Sequence, residues 1–326
     1  MRLLLKLLLG FWLVMLTIYL TGKIYQIAPP LAVMTPVADS MRMKQDLLYL
    51  TKACQYRQYA DTQQLNKAAQ YIYQQMEQTG GSVSYQSYQA LNYTYKNVIC
   101  SVGPEDAERI IVGAHYDVCG MQEGADDNAS GVCGLLELAR ILPKEQLRYR
   151  IDLVAYSTEE PPFFDTENMG SCVHAKSLHQ QKIKIKGMIG LEMIGLFYDE
   201  PHTQDYPFFM LEWFYGNKAN FITIAHKFGD GNFSDSVATL MRKNAVIPTK
   251  SFTGPGWFGG INLSDHRNYW KFDYPAVMIT NTAFYRNKAY HTKNDIAERL
   301  QPEKVALVID ELYRTILAFN VLSPLK

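Results

Sequence analysis

Apolar positions along the chain recur with two periods. Between Thr62 and Gln78, residues Leu65, Ala68, Ile72 and Met76 return every three or four positions and predict a helix. Gly80-Gly81 ends it. An earlier helical stretch starts near Ser40. Ile110-Ile111-Val112, Arg150–Tyr156 and Met188–Met193 are short continuous apolar runs of the kind that fill buried strands. Val83–Tyr95 alternates polar with aromatic or apolar residues and predicts one exposed antiparallel strand, followed by Asn97–Val102. After Ser130-Gly131 the helical period returns, with Val132, Leu135, Leu136 and Ala139 on one face. Downstream, Asn220–Phe228 and Ser234–Lys243 read as helices, and Gly254–Gly260 as a loop. Tyr274–Thr280 reads as a strand, Phe284–His291 as a polar-aromatic loop and Glu303–Phe319 as a closing amphipathic helix. Strands that alternate with helices predict an α/β fold in three layers, with a mixed, mainly parallel central sheet and helices on both faces.

The start of the chain departs from this pattern. Arg2 and Lys6 lead into an apolar run, Leu7–Leu20. Counted from Leu3 the stretch is about 18 residues, near the length that spans a bilayer. Residues 1–22 therefore read as a signal-anchor helix, with a cleaved signal peptide as the rival, since no A-x-A site follows. Positive charge ahead of the run keeps the N-terminus cytoplasmic. Both readings place the rest of the chain outside the cytoplasm, periplasmic or extracellular. Residues 23–39, with Pro29-Pro30, read as a linker, and residues 40–326 as one domain.

Net charge is zero and no Lys/Arg stripe stands out, so nothing points to a nucleic-acid partner. Five cysteines without a CxxC spacing exclude a zinc ribbon and read as small buried hydrophobes. The competing reading is one disulfide, with Cys119 and Cys133 the pair of interest.

Candidate chemistry gathers where the expected strands end. His115 closes GAHYD, Glu159-Glu160 follow Arg150–Tyr156, and Glu192 lies near the end of MIGLEM. In open α/β sheets, function collects at the carboxyl ends of strands. Asp126-Asp127-Asn128 alone would pass as a turn and cap. A carboxylate inside an apolar strand, as Glu192 is, must be paired or metal-bound. Together His115, Asp127, Glu160, Glu192 and His291 could ligate two metals, leaving Glu159 as a base.

GAHYD, GADDNASG, STEE and the late YHT make the chain resemble the zinc exopeptidase family of leucyl aminopeptidases and glutamate carboxypeptidases, of which glutaminyl cyclase is a relative. The resemblance covers roughly residues 40–320. It implies a zinc-peptidase-like fold, two Zn2+ ions and a peptide substrate. It assigns His115 and Glu192 to one zinc, Glu160 and His291 to the other, and Asp127 to a bridge between them. Glu159 becomes the general base and Asp117 a partner that orients His115. The peptide Asp127–Asn128 is a candidate cis bond. Two departures stand out. Glu192 occupies a position where many members carry Asp, and Gly260-Ile261-Asn262-Leu263 supplies no Tyr ahead of Ser264-Asp265-His266. Tyr285, Tyr290 and His266 are the candidate substitutes, although a structural role for His266 is the better reading of a buried histidine. The sequence thus leads to a metal-dependent exopeptidase, an aminopeptidase before a carboxypeptidase. The alternatives are a one-zinc glutaminyl cyclase, suggested by Trp257-Phe258-Gly259-Gly260, and an inactive binding module on the same scaffold. An apolar substrate pocket is expected from Pro161–Phe164 and the 197–260 region. Oligomeric state is not legible.

Overall fold

The computed structural model describes residues 35–321, together with Lys6 and Gly10. The expected N-terminal membrane helix lies outside the described residues. Among those described, no helix is long and apolar enough to cross a membrane.

Eight strands form one sheet: β1 (Ser82–Ala90), β2 (Tyr93–Val102), β3 (Arg109–His115), β4 (Arg150–Tyr156), β5 (Ile185–Glu192), β6 (Ile222–Lys227), β7 (Thr249–Gly254) and β8 (Ala276–Thr280). Their order is β1-β2-β4-β3-β5-β8-β6-β7. The centre, β4-β3-β5-β8, is parallel. β1 and β2 extend one edge antiparallel, and β6 and β7 run parallel to each other but antiparallel to β8.

Side chains alternate across a strand, and the sheet's two cores show it. Ile110, Val112 and Ala114 of β3 join the main core with Ile151, Leu153, Ile189 and Leu191. That core is covered by α1 (Ser40–Leu48), α2 (Thr62–Glu77), α3 (Gly131–Ile141), α6 (Asn232–Lys243) and α8 (Pro302–Val321). Ile111, Val154, Tyr156 and Met188 face the other way, onto α4 (Gly170–Gln180) and α7 (His266–Trp270). Short α5 (Met210–Tyr215) lies over the far wing.

Two expectations are corrected. Asn220–Phe228 is not a helix but contains β6. Ile222 and Ile224 enter the main core while Ala225 packs on the opposite face with Met278. A strand buried on both faces shows no polar alternation, and the β-branched Ile-Thr-Ile favours extension. Val83–Tyr95 is not one strand but a hairpin, turning at Leu91 (φ 45°) and Asn92 (φ 65°). A two-residue loop with both φ positive matches the twist of the flanking strands, but Leu in that role leaves no turn signature in the sequence.

Candidate metal centre

The loop from Gly124 to Ser130 sets the centre of the site. Gly124 turns with φ 55°, and a side chain there would strike the Asp127 carbonyl. Arg57, itself buried, donates to the Glu123 and Gly124 carbonyls. Asp295 accepts the Asp126 N–H through Oδ1 (3.1 Å) and the Asp127 N–H through Oδ2 (3.0 Å). Asn128 donates to the Leu191 carbonyl and accepts from the Gly131 and Met193 N–H groups, which ties the loop to β5. The Asp127–Asn128 peptide is cis.

These bonds send the adjacent aspartates to different surroundings. Asp126 accepts from the Gly195 N–H and from Asn281 and Asn287, a closed set of structural bonds. Asp127 faces the strand ends. Its Oδ1 lies 3.3 Å from His115 Nε2, which is 3.4 Å from Glu192 Oε2. Its Oδ2 lies 3.2 Å from His291 Nε2, which is 3.1 Å from Glu160 Oε2. All five residues expected to ligate metal are brought together, with one Asp127 oxygen turned toward each pair.

Glu159 and Glu160 are positioned by a single carboxylate. Asp117 Oδ1 accepts the Glu159 N–H and Oδ2 accepts the Glu160 N–H, both at 3.1 Å. Asp117 also lies beside the imidazole it is expected to orient: its Oδ1 is 3.6 Å from His115 Nδ1, an ion-pair distance, and its carbonyl is 3.3 Å from the same nitrogen. Thr158 (φ 59°), Met193 (φ 49°) and His291 (φ 55°) all hold left-handed backbone. Such strain collects at functional sites, where surrounding bonds enforce it; Thr158 Oγ1, for one, donates to the Asn168 carbonyl.

The chemistry of the donor set fits divalent metal. Asp127 Oδ2, Glu160 Oε1 and His291 Nε2 are buried without any aligned hydrogen bond, although Asp127 and His291 nearly touch. Donors that converge without bonding one another match a shared cation, and His nitrogen with carboxylate oxygen is the zinc combination. Charge agrees. Burial pushes the Glu159 carboxyl well up, the Glu192 carboxyl up and Glu160 to about 8, with Asp127 adding to the Glu160 shift. Burial would raise Asp127 too, but His115 and His291 outweigh it and hold that carboxyl well below the usual range. Burial opposes a charged His291, yet Asp127 and Glu160 carry its pKa to about 10. So much buried negative charge needs a cation.

Other side chains close around these five residues. Ser264 Oγ donates to Glu192 Oε2 at 2.6 Å. Tyr290 stacks on His291, with centroids 3.8 Å apart. Asp265 is buried, and burial lifts its carboxyl to about 7 against the opposing pull of the His115 charge and the Ser171 hydroxyl. Asp295 sits 168 residues from the segment it holds. No local spacing announces contacts of that range; only the nearness of Ser264-Asp265 to His266 hinted at a role. His266 Nε2 lies 2.6 Å from the Ile261 carbonyl and its ring packs on Trp270, contacts of the kind a structural histidine makes. His174 and His226 are core residues, while His179 and His202 are exposed. All five cysteines are free, so Cys119 and Cys133 form no disulfide.

An apolar cavity opens beside Glu192 and Tyr290, over the β8-β6-β7 wing. Leu211, Phe221, Phe252, Phe258, Met278 and Tyr285 contribute to its wall. The expected contribution of Pro161–Phe164 is not found there. Phe163 is buried in the main core, edge-on to Tyr59 and Tyr95.

The sequence profile of Peptidase family M28 matches residues 97–316. The uncharacterized protein YfbL of Escherichia coli is 41% identical over 281 residues, which are 84% of this chain and 86% of that protein. Fungal relatives are described as probable zinc metalloproteases, and this chain covers less than half of their length (42% to 46%). Among solved structures, the Legionella pneumophila LapA aminopeptidase superposes with a TM-score of 0.68 at 21% identity, covering 87% of this chain and 72% of that one. Porphyromonas gingivalis glutaminyl cyclase gives 0.68 at 18% identity, covering 87% and 100%. At such identities these two likenesses concern the fold. With its five convergent donors and this match across the whole catalytic region, the chain belongs to Peptidase family M28.

Proposed function

We propose that the protein is a two-zinc exopeptidase, an aminopeptidase that removes N-terminal residues from peptides outside the cytoplasm. The observation that carries this reading is the division of Asp127. One oxygen faces the His115–Glu192 pair and the other the His291–Glu160 pair. Two metals would give each pair a cation of its own. Zinc held by these residues would supply an activated water and polarise a carbonyl. Glu159 would serve as the general base that accepts a proton from water and passes it to the leaving amine. Its dry surroundings suit this task, because a raised pKa brings a carboxylate toward the strength a general base needs. Asp117 keeps Glu159 and Glu160 in fixed relation. The apolar cavity beside Glu192 receives the side chain of the N-terminal residue, which supports a preference for large apolar residues. The run Leu7–Leu20 behind Arg2 and Lys6 supports export of the domain, with that run as its anchor.

The cyclase alternative has one observation in its favour: Asp265, a second buried carboxyl whose charge acts on Glu159. Zinc content and turnover separate the readings. About two zincs per chain, with hydrolysis of apolar aminoacyl-anilides that Glu159→Gln abolishes, is the expected result. One zinc, with cyclisation of N-terminal glutaminyl peptides and no amino acid released, would establish the cyclase. A chain that binds no zinc and turns over neither substrate would be a binding module.

A further inference from the structure

Cys119 stands in the loop that leaves β3, two residues beyond Asp117. The fold carries its thiol to one side of the metal centre only. A ligand atom from each of Cys119, Glu160 and His291 lies within 4.8 Å of the other two. A second observation belongs to the same group: Glu160, only 3% exposed, has its Oε1 buried with no hydrogen-bond partner, while its Oε2 and Asp127 Oδ2 are the contacts of His291 Nε2. Across Asp127 the arrangement differs. Glu192 is already engaged by the Ser264 hydroxyl, and no cysteine is grouped with His115. The remaining cysteines, Cys54, Cys100, Cys133 and Cys172, are buried, whereas Cys119 is half-buried.

We propose that Cys119 is a protein donor to the metal held by His291 and Glu160, so that this position has nitrogen, oxygen and sulfur ligands while its neighbour has only nitrogen and oxygen. The inference rests on the metal-dependent reading above. Coordination forms a metal–sulfur bond and releases the thiol proton to solvent, with no change in oxidation state. A thiolate favours zinc over the oxygen-seeking magnesium and manganese. The two positions therefore differ in metal preference, and the sulfur-bearing one is the more selective for zinc.

Cobalt reports this directly. The full-length chain is loaded with Co2+, and its visible and near-ultraviolet absorption is followed as metal is added. The expected result is visible cobalt bands together with a thiolate-to-cobalt charge-transfer band, the latter arising with only one of the two equivalents. Cys119→Ser should keep the visible bands, lose the charge-transfer band and weaken one equivalent by about ten- to a hundredfold. Visible bands with no charge-transfer band in the unaltered chain would overturn the proposal while leaving the metal site intact. So would a charge-transfer band that survives in Cys119→Ser. No cobalt binding at all would overturn both the proposal and the reading beneath it. The spectrum of the unaltered chain decides the matter even if the variant fails to fold.

Discussion

The parallel centre of the sheet and its far wing contribute to the same cleft by different physics. At the centre, His115, Glu160 and Glu192 come from the ends of neighbouring parallel strands, and backbone N–H groups fix the carboxylates that matter. Almost everything there is polar, dry and oversupplied with negative charge. The wing β8-β6-β7 offers Phe221, Phe252 and Met278 to an apolar cavity closed by α5 and the loop before Ser264. Its outer surface is aromatic and wet: Phe209 is 72% exposed, Trp213 59% and Trp257 80%. On the proposed function, reactivity is set by fixed charge at strand ends, where a small displacement is costly, and selectivity by the shape of an apolar surface, which can vary without disturbing the chemistry.

That division can be broken by experiment. Glu159→Gln should lower kcat by at least about a thousandfold with metal content unchanged; a loss of bound metal instead would show Glu159 to be a ligand, and the division of roles within the centre would fall. On the wing, Ala225→Phe fills part of the cavity beside the Met278 side chain. The ratio of kcat/KM for leucyl over alanyl anilides should drop by about ten- to two-hundredfold, with the alanyl rate nearly unchanged. A uniform fall for both substrates would mean that the cavity serves the chemistry and not the choice of residue. Asp117→Asn puts an amide donor against one of two N–H donors. A tenfold or larger loss of kcat/KM is expected, on the scale of a lost supporting bond at a metal site, roughly 10–100-fold, while the leucyl-to-alanyl ratio stays constant.

The smallest effect concerns stability in chelator. Without metal, the folded chain keeps protons on Glu160 (about 8), Asp265 (about 7) and His291 (about 10). The unfolded chain releases them near pH 4 for the carboxyls and about 6.5 for the imidazole. The folded state therefore binds more protons between about pH 5 and 8, and stability falls as pH rises through that window. Asp127, held low, acts only on the acid side of it. The melting temperature in EDTA should decline from pH 5 to 8, and zinc should remove or reverse the decline, since the metal takes the place of the protons. A flat profile in EDTA would show that the charges at the centre are balanced without metal.

Much of the centre is legible in the sequence because its residues sit beside conspicuous local features. His115 ends an apolar run, Glu159-Glu160 follow another, and Asp127 precedes a helix with a clear apolar face. The wing is harder to read. β6 is apolar on both sides and so lacks the alternation that marks a strand, and α5 with the loop before Ser264 forms the cavity only by packing on it. The supports of the centre are hidden for another reason. Ser264 meets Glu192 and Asp295 meets Asp127 through the third dimension, at separations of 72 and 168 residues, and a hydrogen bond of that reach has no period. The adjacent Asp126 and Asp127 are alike by type; the resemblance singles out Asp127, and the closed set of bonds around Asp126 gives the physical reason.

The grip of Asp295 on the Asp127 segment also sets an order in time. Synthesis proceeds from the N-terminus, so GAHYD and GADDNASG emerge long before the residue that holds the Asp127 backbone in place. A chain interrupted anywhere ahead of Asp295 lacks that support, and one cut before His291 lacks a donor as well. The site is completed only when nearly the whole domain has been made. An unfinished product carries its recognisable motifs without the arrangement that would let them cut peptides.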